Sequence, residues 1–316
     1  MTSHPPAGTP SGIVLEHVTK RFGRTEVLTD ISAVLPPGRI YGLLGANGVG
    51  KTTLMSVVCN HTFRSGGTVL IDGEDPAENP VVLGRTCFIR EDQPYNDAFK
   101  VRDVLSAVSW FYPDWDAALA ERLADRFHLP HRTTCKKLSR GQRSALAIVI
   151  SLASRAAYTF LDEPYLGLDA SARGIFYDEL LLAYSEHPRT IVMSTHLIDE
   201  AAGLLEEVLV LHEGRIVLRA DADEARTSAF VARGLDSAVT ALVGHREVLS
   251  ERRLGSILSV TVRGARTADD ESRARAANIA LEAASLQELV AAIGIGGTGG
   301  LGGVDSESFT TQRTSR

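Results

Sequence analysis

Cysteine and aromatic residues are scarce in this sequence. The three cysteines among 316 residues, Cys59, Cys87 and Cys135, lie far apart and form no C-x-x-C pair. That count excludes a disulfide framework and a cysteine zinc site, and it suits a reducing compartment. The thiols read as ordinary, buried side chains. Long apolar runs are missing too. A membrane helix needs ~18 such residues or more, whereas the longest run, from Ala145 to Ala153, already contains Ser151 and is followed by Arg155. Residues 1–11 are rich in Pro, Ser and Thr and have no cationic start or apolar middle, so no signal peptide is expected there. Excess positive charge is absent as well: 33 Lys and Arg stand against 39 Asp and Glu, for a net charge of −6. A broadly basic surface is thereby disfavoured, and no nucleic-acid partner is expected. These absences describe a cytoplasmic protein that would reach a membrane only through a partner crossing it.

What is present is globular in character. With 44% hydrophobic and 23% charged residues, the chain has ordinary composition and enough apolar surface for a sizeable core. After a flexible lead-in, residues 1–11, extended segments are expected at Ile13–Val18 and Val27–Leu35, the second closed by Pro36-Pro37-Gly38. A short apolar run, Ile40–Leu44, ends in glycines and gives way to helix from Gly50. Thr68–Ile71 reads as another strand. Between about 95 and 155 the spacing of Val101, Val104, Leu105, Val108, Leu119, Leu123 and Phe127 is helical. Tyr158–Leu161 and Thr190–Ser194 have the look of buried parallel strands. A hairpin follows at Val208–Leu211 and Arg215–Arg219. Residues 226–293 show one strand-like stretch, Ile257–Val262, among Ala-rich helix, with capping-box spacing from Ser285 to Glu288. Residues 294–316 are Gly-, Ser- and Thr-rich and read as a disordered tail.

The strongest chemical signal is Gly45-Ala46-Asn47-Gly48-Val49-Gly50-Lys51-Thr52-Thr53, a G-x-x-x-x-G-K-[ST] loop between a strand and a helix. Gly45, Gly48 and Gly50 let main-chain N–H groups converge on a phosphate, and the helix N-terminus adds its positive end. Lys51 would reach the β- and γ-phosphates and the Thr52 hydroxyl would ligate Mg²⁺. A second element, Tyr158 to Glu163, is an apolar strand ending in two carboxylates at the edge where open α/β sheets bind ligands. Asp162 would hold Mg²⁺ and Glu163 would polarise an attacking water. The guanine-reading N-K-x-D is absent, as is the Rossmann G-x-G-x-x-G, so ATP is the expected nucleotide.

Further elements make the chain resemble the ABC ATPases over about residues 12–220. Leu138-Ser139-Arg140-Gly141-Gln142 is similar to their signature sequence, and Thr195-His196, ending an apolar strand, to their switch histidine. Gly167-Leu168-Asp169 is similar to their D-loop, and Phe22 sits where that family has an adenine-stacking aromatic. The resemblance implies an α/β fold: a RecA-like P-loop NTPase core with an antiparallel β edge, an inserted helical subdomain and a small C-terminal extension. The corresponding domains are an ATPase unit at 12–225, with the helical subdomain at about 95–155, then an extension at 226–293. It also implies Lys51, Glu163 and His196 as catalytic groups. Asn47, Thr53 and the rest of the phosphate loop would line the nucleotide site. Ser139, Gly141, Gln142 and Asp169 would face ATP bound by a second protomer, either a second copy or a paralogous subunit. The expected partner is an integral-membrane permease at the inner face of the cell membrane, working as an exporter. Leu286–Ile293 resembles the closing helix of ATPases that serve efflux permeases.

Two positions depart from that family. Arg140 replaces a usual glycine in the signature, with its side chain expected toward solvent. Glu91 stands where a glutamine ligand of Mg²⁺ is usual, with Gln93 two residues on as the alternative. Trp110-Phe111-Tyr112-Pro113-Asp114-Trp115, in the helical region, reads either as an aromatic docking surface or as the core of that subdomain. Two other functions remain open on sequence alone. One is a soluble ABC-type ATPase acting on ribosomes or nucleic acid, and the other is a weakly hydrolysing ATP sensor.

Overall fold

Apolar and alternating segments sort into three sheets in the computed structural model, which describes residues 11–90 and 92–295. Residues 1–10, Glu91 and residues 296–316 lie outside the described residues, and with them most of the lead-in and of the Gly-rich tail. Strands β1 (Ile13–Phe22), β2 (Thr25–Leu35) and, beyond β3 (Ile40–Leu44), β4 (Gly66–Ile71) give the first sheet, in the antiparallel order β2-β1-β4. Alternation decides its inner face, and in β2 it is Leu28, Ile31, Ala33 and Leu35 that turn inward.

The central sheet joins β3 to β5 (Thr86–Ile89), β6 (Tyr158–Asp162), β7 (Thr190–Ser194), β8 (Glu207–His212) and β9 (Arg215–Asp221). Their order is β5-β6-β7-β3-β8-β9, parallel from β5 to β8 and antiparallel only at β9. Every residue of β3, β5, β6 and β7 is buried, as parallel strands covered on both faces require. Because these strands run the same way, the loops after Leu44, Asp162 and Ser194 leave from one edge, and that is where the site forms.

Helices α1 (Lys51–Val58) and α2 (Pro80–Leu83) precede a helical region made of α3 (Val101–Ser109), α4 (Ala117–Arg126) and α5 (Arg140–Ala153). Ser139 starts α5 with a capping box: its hydroxyl accepts from the Gln142 amide at 3.1 Å, and the Gln142 side chain accepts from the Ser139 amide at 3.0 Å. Asp169 caps α6 (Ala170–Glu186) by accepting from the Ala172 amide at 2.8 Å. The aromatic run divides: Trp110 and Phe111 are 83% and 73% exposed, whereas Tyr112 and Trp115 pack against the main core. Cys59, Cys87 and Cys135 are buried and free, as expected. Among the described residues, no helix is long and apolar enough to cross a membrane.

After α7 (Ile198–Ala201) and α8 (Ala222–Thr227), residues 226–293 depart from the sequence expectation. They hold four strands, β10 (Ala229–Leu235), β11 (Val248–Leu254), β12 (Ile257–Arg263) and β13 (Ala280–Ala283), with α9 (Asp236–Val243), α10 (Ala268–Ala276) and the closing α11 (Leu286–Ile295). The sheet order β11-β12-β10-β13, all antiparallel, with this β-α-β-β-α-β sequence is ferredoxin-like. Composition hid β11 and β13, because β11 buries only Leu249 and β13 buries nothing, so pairing rather than an apolar run makes them strands. The capping box at Ser285 forms as expected, with reciprocal bonds to Glu288 of 3.0 and 3.1 Å. One face of the sheet encloses its own cluster around Phe230, Val239 and Val260. The other joins the main core, where Leu286, Leu289 and Val290 lie in one cluster with Ile198 and Leu204.

The helical region is tied to α6 by charge. Glu179 is fully buried and its Oε1 accepts from Arg122 at 2.7 Å and from Arg126, both on α4. Replacing both arginines by alanine leaves that carboxylate buried without a cation, at an expected cost of about 3–5 kcal/mol. The drop is read from the denaturant midpoint, and an unchanged midpoint would show that the tie contributes nothing.

Candidate nucleotide-binding site

The phosphate loop turns out of β3 through backbone that only glycine adopts easily. Gly45 has φ 142°, and a Cβ there would sit 2.3 Å from the Leu211 carbonyl oxygen. Gly50, at φ 110°, lies against Val27 and Leu28 of the antiparallel edge. The loop therefore wedges between the central sheet and β2 and delivers Lys51 and Thr52 to the first turn of α1. Lys51 is buried, and its Nζ donates to the carbonyls of Gly45 and Ala46 at 2.8 and 3.0 Å. Burial pushes its pKa below the usual lysine value, against the opposing pull of Glu163 and Asp162.

Two other loops complete the wall. Asp162 is buried and accepts from the Thr52 hydroxyl at 2.6 Å and from the Ser194 hydroxyl at 2.6 Å. Ser194 in turn accepts from the Glu163 amide at 3.0 Å. Glu163 takes a left-handed backbone, φ 48°, which is uncommon for a residue with a side chain. Its Oε2 lies 2.7 Å from His196 Nδ1. With Glu163 as a carboxylate, which only accepts, that contact places a proton on Nδ1.

Lys51, Thr52, Thr53, Asn47, Gly48, Gly50, Asp162, Glu163 and His196 thus line one cavity of about 380 Å³. A second cavity of about 320 Å³, which Gln93 and Arg143 help to line, shares Glu163 with the first. Gln93 is half-buried and accepts from the Arg90 amide at 3.4 Å. The sequence-based alternative to it, Glu91, is outside the described residues.

Other expected site residues stand apart from the first cavity. Phe22 is exposed at the end of β1, with the Lys20 ammonium 4.5 Å from its ring centre. Ser139, Gly141 and Gln142 open α5 beside the Gly167 turn, where a Cβ on Gly141 would come within 2.5 Å of the Gly167 carbonyl oxygen. Arg140 is exposed, as expected, and its stem passes over Gly167. Asp169 is exposed at the start of α6.

The sequence reading missed Ser194 and Tyr165. Ser194 carried no signal beyond its place at a strand end. Tyr165 had one: an aromatic residue bearing a hydroxyl two positions after Glu163. It is buried, and its hydroxyl contacts Glu163, Thr195 and His196. Burial, then the bond to Glu163, pushes its pKa far above the usual tyrosine value, so the hydroxyl keeps its proton.

The ABC transporter family profile matches residues 28–166, the stretch from β2 to just past Glu163. An aliphatic sulfonates import ATP-binding protein of Agrobacterium fabrum is 31% identical over 209 residues, which cover 66% of this chain and 78% of that protein. The chain belongs to the ABC transporter ATP-binding proteins. It is also similar to the ABC transporter ATP-binding protein YtrB of Bacillus subtilis, 28% identical with 68% of this chain and 73% of that one covered. A Nod factor export ATP-binding protein of Burkholderia lata is 31% identical, with 64% and 68% covered. Among solved structures, an ATP-binding subunit of an ABC transporter superposes with a TM-score of 0.62 at 22% identity, covering 68% of this chain and 92% of that one, and supports the fold. As an ABC ATPase the protein binds nucleotide and hydrolyses ATP, and Lys51, in the first turn of α1, lines the cavity beside the glycine-rich loop. Losing a charge-assisted bond there costs about 1.5–3 kcal/mol, so Lys51→Ala is expected to weaken ATP binding roughly 10- to 100-fold. Titration with a fluorescent ATP analogue checks this, and unchanged affinity would remove Lys51 from the phosphate site.

Proposed function

We propose that this chain is the ATPase subunit of an ABC exporter and works as a pair, with two ATP molecules held between protomers. The carrying observation is a division of labour within one chain. Lys51, Thr52, Asp162, Glu163 and His196 line one cavity, whereas Ser139, Gly141 and Gln142 are not among its lining residues. One chain therefore offers two half-sites, and two chains placed head to tail would complete both. The capped start of α5 is an anion-binding surface for the γ-phosphate of the opposite protomer, with Asp169 beside it. Phe22, exposed at the end of β1, would take the adenine ring.

The Thr52 hydroxyl and the Asp162 carboxylate, 2.6 Å apart, are hard oxygen donors of the kind Mg²⁺ takes. They would hold the ion with Gln93 or Glu91, and it would offset charge on the β- and γ-phosphates. In hydrolysis the water oxygen bonds to the γ-phosphorus. The bond to the bridging oxygen breaks with its electron pair passing to ADP, and Glu163 receives the water proton. His196, exposed on the cavity side of Glu163, would contact the γ-phosphate.

A permease would dock on the helical region. A groove of about 340 Å³ there is lined by Tyr95, Phe99, Phe111 and Tyr112 among others, with Phe111 largely exposed at its edge. Export as the direction is supported by the likeness of the closing helix, now α11, to that of efflux ATPases.

Glu163→Gln is expected to slow hydrolysis roughly 100-fold or more while ATP binding persists and an ATP-bound dimer accumulates in light scattering. Wild-type turnover with no dimer would overturn the assignment of Glu163. A mild-detergent pull-down of the tagged protein from its own cells is expected to bring a polytopic membrane protein in near equal amount. Ribosomal or DNA-bound partners with no membrane protein would overturn the transporter reading.

A further inference from the structure

The phenol oxygen of Tyr165 collects polar groups from two loops that the chain separates by 31 residues. Its hydroxyl contacts Glu163 Oε2. Thr195 Oγ1 is 2.7 Å away and the His196 amide donates to it at 2.8 Å. A phenol donates one hydrogen bond and accepts two. The carboxylate only accepts, so the single proton goes to Glu163, and the Thr195 hydroxyl and His196 amide fill the two acceptor positions. Every capacity of the group is used, and the Leu197 amide adds a longer contact at 3.4 Å.

The consequence falls on Glu163. Its Oε2 is held by Tyr165, by His196 Nδ1 at 2.7 Å and, at 3.4 Å, by the His196 amide. Its Oε1 is buried with no partner among the described residues. In a carboxylate that lines the cavity, a buried acceptor left alone is free to take a donor from outside the chain. The left-handed backbone at Glu163 makes this possible, since it turns the chain so that the residue two positions on reaches back to the same carboxylate.

We propose that Tyr165 is a positioning residue for ATP hydrolysis, locking Oε2 of Glu163 together with His196 so that Oε1 alone is presented to the attacking water. The proposal rests on the reading above that Glu163 receives the water proton. Tyr165 touches no substrate and acts through the carboxylate and the switch histidine. Its ring also lies 5.5 Å from the His196 ring, centre to centre. Tyr165→Phe keeps that packing and removes only the hydroxyl.

The test compares the full-length wild type, Tyr165→Phe, Glu163→Gln and the double variant for kcat, KM, ATP affinity and melting temperature. Misplacing a reacting group by about an ångström costs up to ~100-fold. Tyr165→Phe is accordingly expected to lower kcat roughly 10- to 100-fold with ATP affinity within about twofold of wild type. In the Glu163→Gln background the same change is expected to alter the residual rate by less than about twofold, since the carboxylate base that it positions has gone. A near-normal kcat for Tyr165→Phe beside an inactive Glu163→Gln overturns the proposal alone. So does an equal loss in both backgrounds. Full activity of Glu163→Gln overturns the reading of the carboxylate, and the proposal with it. Should Tyr165→Phe melt well below wild type, Thr195→Val is measured instead, because it removes one donor to the phenol. It is expected to lower kcat roughly tenfold at unchanged affinity, and an unchanged kcat counts against the proposal.

Discussion

Asp162 joins three loops with two short bonds, one from Thr52 and one from Ser194, each 2.6 Å long. β3 and β6 are not neighbours in the central sheet, because β7 lies between them. The carboxylate therefore reaches across β7 to the phosphate loop and is braced by the end of β7 on the way. Buried charge is costly unless hydrogen-bonded, and here two hydroxyls meet it. With Asp162 held, the Glu163 amide is placed by the same Ser194 oxygen. The Glu163 side chain is placed by Tyr165 and His196. Lys51 enters from the opposite wall with its charge disfavoured by burial and drawn back by the two carboxylates. The cavity is thus a consequence of parallel strands ending together, with one carboxylate holding their loops in place.

A left-handed residue also lies beside this chemistry. Glu163 at φ 48° and Gly167 at φ 87° bound a turn that returns the chain toward α5, and such outliers persist only where surrounding contacts hold them. Those contacts are specific: Ser144 donates to the Leu166 carbonyl at 2.5 Å, and Gly141 and the Arg140 stem lie against Gly167. The start of α5 and the Glu163 loop are consequently one packed unit. On the other flank, α7 begins two residues after His196 and is covered by the closing helix, whose Gln287 amide donates to Asp199 at 3.4 Å. The ferredoxin-like extension is fastened to the rest of the chain at the element that follows His196.

Much of the site was legible before any coordinates because it is local. The spacing of Gly45, Gly48, Gly50, Lys51 and Thr52 is a statement about consecutive backbone torsions, and an apolar run ending in Asp162-Glu163 is a statement about one strand. The capping box of Ser139 and Gln142 also closes within one turn. The aromatic run Trp110–Trp115 was ambiguous for the opposite reason: neighbours in sequence alternate between core and solvent there, and only packing shows that Trp110 and Phe111 point out while Tyr112 and Trp115 point in.

By itself, then, the sequence determined the phosphate loop, the paired carboxylates, the helix starts and the α/β class, all carried by short-range torsions and periodicity. The tertiary structure alone decided that Tyr165 meets His196, that Ser194 braces Asp162, and that β11 and β13 are strands. The physical reason is register. Tyr165 and His196 come together only because β6 and β7 pair with Asp162 opposite Ser194. β11 and β13 become strands only by completing the hydrogen bonds of β12 and β10.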